Sequence, residues 1–336
     1  MKKKKIIFSY DYELFFGIMS GTVQKTLIEP TNLLLDCMES VGARGNFFID
    51  YLMFECLEKL NDERAKLDLK IMKEQVKDMV RRGHRIELHL HPHWIDAKYN
   101  GDGTWDYTDY TDYTHYSLYS LHEEVRARMF RDGTGYLTKL AREVDPDYTI
   151  CAFRAGGWTI QPFGILKECF KENGIVIDSS VMHGICQDNK YSKFDFHCTP
   201  DKETYRFSDD VCIEEVNGEF IEVPITVYNR NISRKIIEKI IRFFSIKREC
   251  ITDGTHQRLD LPINSRHKKW LKSIPTAFSM SGRNPLIAEL AFRVSNKSLI
   301  TIIDHPKDFT ENALSVIRLY MKKADSITYN DIKQRQ

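Results

Sequence analysis

The sequence predicts a parallel α/β barrel on three observations. Short apolar runs alternate with stretches of helical spacing, the pattern of repeated strand-and-helix units. Each run ends in polar side chains (Asp11 and Glu13; His89, His91 and His93; Arg154; Asp178), and a parallel barrel gathers its loops at that rim. A length of 336 residues suits one elaborated barrel or two domains. The chain reads as a single domain over 1–336: a barrel from 1–181 joined by about 295–330, with an inserted loop, hairpin and helix region at about 182–294. With 42% hydrophobic and 29% charged residues, a large core is available, and collagen-like, low-complexity and disordered classes are excluded.

Residues 5–10 are an apolar run suited to a buried strand, and it delivers Asp11 and Glu13, two apart and hence on one face, at its C-terminal end. Over 26–40, Leu27, Leu33, Leu34, Leu35 and Met38 predict a helix that Gly42 stops, and Asn46-Phe-Phe-Ile49 is the next strand. Val76, Met79 and Val80 predict a helix over 71–82, closed by Gly83; residues 85–90 then alternate into a strand that leads to the three histidines. A third round has a helix over 123–143, a strand over 148–153 and the turn Arg154-Ala-Gly-Gly-Trp158. In the fourth, a helix over 161–173 is capped by Gly174 and followed by a strand over 175–178. Beyond it, 211–215 and 219–227 flank Asn217-Gly218 as a hairpin signal.

The net charge of +1 leaves no global field to gather nucleic acid, and no nucleic-acid partner is expected. Eight scattered cysteines without CxxC spacing argue against a disulfide framework or a cysteine-ligated zinc. The lysine-rich start mimics a signal peptide, but Asp11 and Glu13 interrupt the apolar stretch too early, so a cytoplasmic location is expected. No apolar window reaches the length of a transmembrane helix. The tandem tripeptides at Asp106, Asp109 and Asp112 sit in a tyrosine-rich stretch that includes Tyr110, which reads either as sugar-stacking surface or as a loop packing its own rings. Over 234–248, Ile236, Ile237, Ile240, Ile241 and Phe244 share a helical face, with basic residues mostly elsewhere. Docking of that face on the barrel is the ordinary use of the pattern; peripheral membrane contact is the alternative.

Three histidines within five residues are hard to account for as core filling, because each buried imidazole needs polar partners. A divalent metal resolves this: imidazole with carboxylate suits zinc or another first-row ion. Asp11 and Glu13 are the available carboxylates.

Five ordered segments, Ser9-Tyr-Asp-Tyr-Glu13, Gly83-His-Arg-Ile-Glu-Leu-His-Leu-His-Pro-His93, Phe153-Arg-Ala-Gly-Gly-Trp158, Asp178-Ser-Ser180 and Ile303-Asp-His-Pro306, resemble the polysaccharide deacetylases, the NodB-like domains of carbohydrate esterase family 4. Asn46-Phe-Phe-Ile49 and Ile221-Glu-Val-Pro224 look like two further strands of that family. The resemblance implies a distorted (β/α)7 barrel that holds a zinc-type ion and hydrolyses the N-acyl amide of an amino sugar, whether in a polysaccharide, a glycan precursor or a nucleotide sugar.

Roles follow from the same resemblance. Asp11 matches the catalytic base, Arg154 the arginine that orients it, His305 the catalytic acid and Asp178 the carboxylate that tunes that acid. The family's His-x-x-x-His pair maps onto His89 and His93, with His91 as an extra that shares their face if the strand continues. Tyr12 occupies the family's usual ligand position, so the metal is assigned to Glu13, with Asp11 as the alternative ligand. Gly157, with a backbone N–H for the oxyanion, and Trp158 and Tyr110, with flat faces for a sugar ring, complete the expected site. Rival readings are a metal-dependent amidohydrolase acting on a non-sugar amide and an inactive carbohydrate-binding homologue.

Overall fold

The computed structural model describes residues 3–17, 19–107, 115–189, 192–244, 249–256, 272–281 and 283–334. Strand β1 (Lys4–Tyr12) passes through a helical turn (Val23–Ile28) into α1 (Glu29–Ser40) and β2 (Gly45–Asp50). Helices α2 (Tyr51–Glu58) and α3 (Glu63–Arg81) lead to β3 (Arg85–Leu90). A small hairpin of β4 (Lys98–Tyr99) and β5 (Trp105–Asp106) precedes α4 (Glu123–Arg142) and β6 (Ala152–Ala155). Next come α5 (Lys167–Glu172), β7 (Ile177–Asp178), a second hairpin of β8 (Cys186–Asp188) with β9 (Lys193–Asp195), then β10 (Tyr205–Phe207) and β11 (Phe220–Glu222). The chain closes with β12 (Val227–Arg230), α6 (Ile232–Phe243), β13 (Ile274–Ala277), α7 (Pro285–Val294), β14 (Leu299–Asp304), α8 (Glu311–Met321), β15 (Ala324–Ser326) and α9 (Tyr329–Lys333).

Seven strands pair in parallel in the order β11-β7-β6-β3-β2-β1-β14, with β10 antiparallel on β11 and β15 also against β1. The sheet curls into a distorted barrel, the architecture the sequence predicts. Among the described residues no ladder joins β11 to β14. Single backbone bonds bridge the gap instead: Thr226 N–H to Thr301 O, Phe278 N–H to Thr226 O and Ile303 N–H to Phe278 O. The loop signals hold where backbone chemistry enforces them. Gly83, at φ +78°, ends α3 as Gly83 N–H bonds Val80 O and His84 N–H bonds Met79 O, a Schellman-type stop.

The expected hairpin around Asn217-Gly218 takes a different form. Its first arm is β10, Tyr205–Phe207, and residues 211–213 form a turn. Gly218 lies so close to Phe207 that a Cβ would meet backbone at 2.5 Å, so the glycine serves close packing rather than a two-residue turn. The strand expected over 148–153 begins only at Ala152.

Alternation along the strands sorts side chains into two layers. Ile6, Phe8, Tyr10 and Tyr12 join Phe47, Ile49, Ile86, Leu88 and Phe153 under the helices. Ile7, Phe48, Ala152, Ile177 and Ile221 face inward, where Tyr329 and Ile332 of α9 pack against them. Above that apolar floor the inward residues turn polar: Ser9, Asp11, Asp50, His89, Arg154 and Asp178 are all buried. The eight cysteines are free thiols. No helix among the described residues is long and apolar enough to cross a membrane.

Candidate active site

Strand β1 supplies the two carboxylates. Asp11 continues the inward row of Ile7 and Ser9, whereas Tyr12 points the other way and donates its hydroxyl to Gln75 Oε1 at 2.8 Å. Glu13, one residue further, is back on the inward side, which is why Tyr12 in the family's ligand position leaves the carboxylate pair intact.

Asp11 Oδ1 accepts from Arg154 Nη1 at 2.6 Å. The guanidinium is itself fully held, donating through Nε to Ser179 O at 2.8 Å and through Nη2 to Ser9 Oγ at 2.8 Å and Tyr329 OH at 3.2 Å, with its carbon 4.2 Å from the Phe48 ring centre. Burial would raise the Asp11 carboxyl, but Arg154, His89 and His305 overcome it and hold it well below the usual carboxylate range. Asp11 Oδ2 faces His305 Nε2 at 3.5 Å. Burial pulls the His305 imidazole down, yet its bond with Asp11 raises it above its ordinary value.

Glu13 is the hub of the cationic side. Its Oε2 lies 2.6 Å from His91 Nε2 and 3.2 Å from His89 Nε2, and its Oε1 accepts from Lys307 Nζ at 2.7 Å. Burial opposes ionisation, but Lys307 and His91 carry the Glu13 carboxyl well below its ordinary value. Lys307, 4% exposed, also donates to Leu14 O at 3.2 Å and lies 4.5 Å from the Phe16 ring centre. Nothing in the local sequence marks it as buried; only its position two residues after His305 hints at a shared face.

Among the described residues, the ligand-capable side chains that converge are Glu13, His89 and His91, whose donor atoms all lie within 4.8 Å of one another. Strand β3 ends at Leu90, and Pro92 starts a helical turn, so His93 leaves the inward row. Its ring packs among Phe16, Tyr107 and Trp94 at centroid distances of 4.0, 5.3 and 5.8 Å, and burial drives its pKa well down. Of the pair expected from the resemblance, His89 lies in this convergent set, where it is joined by His91, and His93 lies outside it. Gly156 makes room for His91: a Cβ there would meet Leu90 O at 2.5 Å and His91 Nδ1 at 2.8 Å.

The donor chemistry fits a divalent cation. His89 Nδ1 lies 2.7 Å from Arg154 O, an atom that can only accept, so Nδ1 carries the hydrogen and the neutral ring turns a bare Nε2 lone pair toward Glu13 Oε2. Two acceptors facing each other in a buried site need a shared cation, either a proton or a metal. The proton answer shows as a His89 pKa of about 9, raised against burial by Asp11 and Glu13. Burial instead lowers His91 to about 4, and its Nδ1 has no hydrogen-bond partner among the described residues.

Asp178 is not among the groups around His305. It accepts from Ser180 Oγ at 2.8 Å, and burial raises its carboxyl and, further through Asp178, that of Glu222. The carboxylate beside His305 Nδ1 is Asp308, at 3.5 Å. Trp158 is half-buried at the rim, edge-on to Phe194 at 6.4 Å, and Gly157, at φ +58°, packs so that a Cβ would meet Tyr116 at 2.9 Å. Tyr110 lies outside the described residues.

No protein-family model and no curated protein matches this chain. Solved structures do. Over 99% of its length the chain is similar to 91% of a Mycobacterium smegmatis protein assigned to the polysaccharide deacetylases, at 14% identity and TM-score 0.49. A polysaccharide deacetylase from Bacillus cereus matches at 9% identity and TM-score 0.40, with 98% of this chain and 94% of that one covered. A family 4 carbohydrate esterase from Streptomyces lividans, in complex with acetate, matches at 8% identity and TM-score 0.38, with 95% and 87% covered. The group that the sequence segments resemble is the group found among these structural neighbours.

Proposed function

We propose that this chain is a metal-dependent hydrolase that removes an N-acetyl or similar N-acyl group from an amino sugar. The observation that carries the reading is the convergence of Asp11, Glu13, His89, His91, Arg154 and His305 at one set of strand ends, with acid and base groups whose environments push their pKa values apart. Glu13, His89 and His91 would hold the ion, which as a Lewis acid polarises the acyl carbonyl and lowers the pKa of a neighbouring water.

The chain's own groups do the rest. Asp11, kept ionised by Arg154, accepts the proton of the attacking water. His305, on the other side of Asp11 and with a raised pKa, donates a proton to the departing nitrogen so that it leaves as an amine. Backbone N–H groups of the turn at 156–157 face the carbonyl oxygen as charge develops on it. Trp158 offers the sugar ring an apolar face at the rim. Products are a short carboxylic acid and the free amino sugar.

Zinc-loaded protein incubated with N-acylated sugars, nucleotide sugars and oligosaccharides, read by mass spectrometry, tests this with Asp11→Asn as the blank. Loss of one acyl mass in wild type alone supports the reading; equal turnover in both proteins refutes it. The Lys307 ammonium beside Glu13 favours one second reading, a site that binds sugar without turning it over. Sugar-induced stabilisation without any mass change in the same screen selects that reading.

A further inference from the structure

Helix α6 is amphipathic, and it docks by the face opposite to the one its sequence suggests. Ile236, Ile237 and Ile240 are 42%, 43% and 53% exposed, and Phe243 and Phe244 at its end are 83% and 81% exposed. The buried side is polar instead. Glu238 is 2% exposed, paired with Arg230 at 2.5 Å, and Lys235 Nζ donates to Lys272 O at 2.5 Å. At a helical period of about 100° per residue, Lys235 and Glu238 lie on one side, and Ile236, Ile240 and Phe244 lie across the axis from them. A helix held by an ion pair, with its large apolar side chains turned outward, departs from the packing that removes such surface from water.

Charge identifies the occupant. From 232 to 244 the chain carries Arg234, Lys235, Lys239 and Arg242 against the single carboxylate Glu238, in a protein whose net charge is only +1. Lys239 stands exposed at the edge of the apolar face, and Arg242, also exposed, rises from the docked side, 3.6 Å from Glu238. Further cations, Lys247, Arg248, Lys268 and Lys269, follow in the sequence. A second copy docking face to face would bring these cationic rows together, which like-charge repulsion disfavours. We propose that α6 is a membrane-surface anchor: Ile236, Ile240, Phe243 and Phe244 enter the headgroup boundary of an anionic bilayer while Lys239, at the edge of that face, meets lipid phosphates.

The test is co-sedimentation of the full chain with vesicles of phosphatidylcholine alone or mixed with phosphatidylglycerol, at low and high salt. Expected is binding to the anionic vesicles, weakened by salt and by omission of phosphatidylglycerol. The double variant Phe243→Ser, Phe244→Ser loses at least about tenfold in vesicle affinity, since each buried Phe is worth about 1.5–3 kcal/mol and 1.4 kcal/mol is tenfold. Lys239→Glu weakens the preference for anionic lipid. Both variants change exposed positions, and unchanged thermal unfolding confirms their fold. Equal sedimentation of wild type and the Phe variant overturns the proposal. So does a dimer seen by light scattering without vesicles that the Phe variant dissolves, which would make the face an interface between copies. Vesicle binding is read without turnover, so this inference and the hydrolase reading stand or fall separately.

Discussion

His305 turns its Nδ1 toward Asp308, three residues on in its own chain and 3.5 Å away, while its Nε2 faces Asp11 and Glu13 at 3.5 Å each. The helical turn Pro306–Asp308 makes this pairing local. Asp308 is in turn hydrogen-bonded to the His256 imidazole. Asp308→Asn should therefore lower kcat about 10–100-fold with little change in KM, the range for losing a partner that orients a catalytic ring. Asp178→Asn should leave kcat much nearer wild type. Steady-state kinetics of the two variants decide this, and the reverse ranking returns the tuning role to Asp178.

Metal content separates the adjacent histidines. Glu13, His89 and His91 form the convergent set, whereas His93 packs among rings. His91→Ala should lose bound zinc on dialysis, and His93→Phe should retain it at wild-type stoichiometry. Elemental analysis of both purified proteins is the measurement; zinc loss in His93→Phe alone would restore the pairing of His89 with His93.

Lys307 and an ion compete to neutralise the same carboxylate. Lys307→Met leaves Glu13 buried with only imidazoles beside it, and breaking a buried pair costs on the order of 3 kcal/mol. Metal-free protein should show that loss in urea unfolding. Zinc should then recover more stability in the variant than in wild type, because ion binding to the folded state alone adds stability by mass action. Equal zinc-induced shifts in both proteins would show that the ammonium and the ion do not compete.

The buried carboxyls Asp178 and Glu222 make stability depend on pH. Burial raises both in the folded state, Glu222 further through Asp178, so folding holds protons that the unfolded chain releases. Their favourable contribution is full below the ordinary carboxylate range and is lost as pH rises through the folded values. Glu222→Gln removes one of the two ionisations, and should be more stable than wild type at about pH 8, by roughly 1–2 kcal/mol, and nearly equal at about pH 5. Denaturant midpoints at the two pH values check the sign; a variant that loses stability at both would mean Glu222 is needed as a carboxylate.

Local patterning was sufficient for the repeating strand-and-helix order, for Asp11 and Glu13 on one side of β1 and for Gly83 as a stop, because each depends on periodicity or backbone freedom within a few residues. The order of five motifs pointed to the pairing of Arg154 with Asp11 across 143 residues. Tertiary structure decided the rest. Whether His91 or His93 meets Glu13 depends on where β3 gives way to a turn, a matter of one residue that strand periodicity cannot fix. Lys307 and Glu222 acquire their partners through the curl of the sheet and the chain reversal after β14, and α6 is turned outward by the Arg230–Glu238 ion pair. Each of these outcomes sets the desolvation of a charged group against the particular partners waiting for it, and a sequence names the charges without saying which of them will meet.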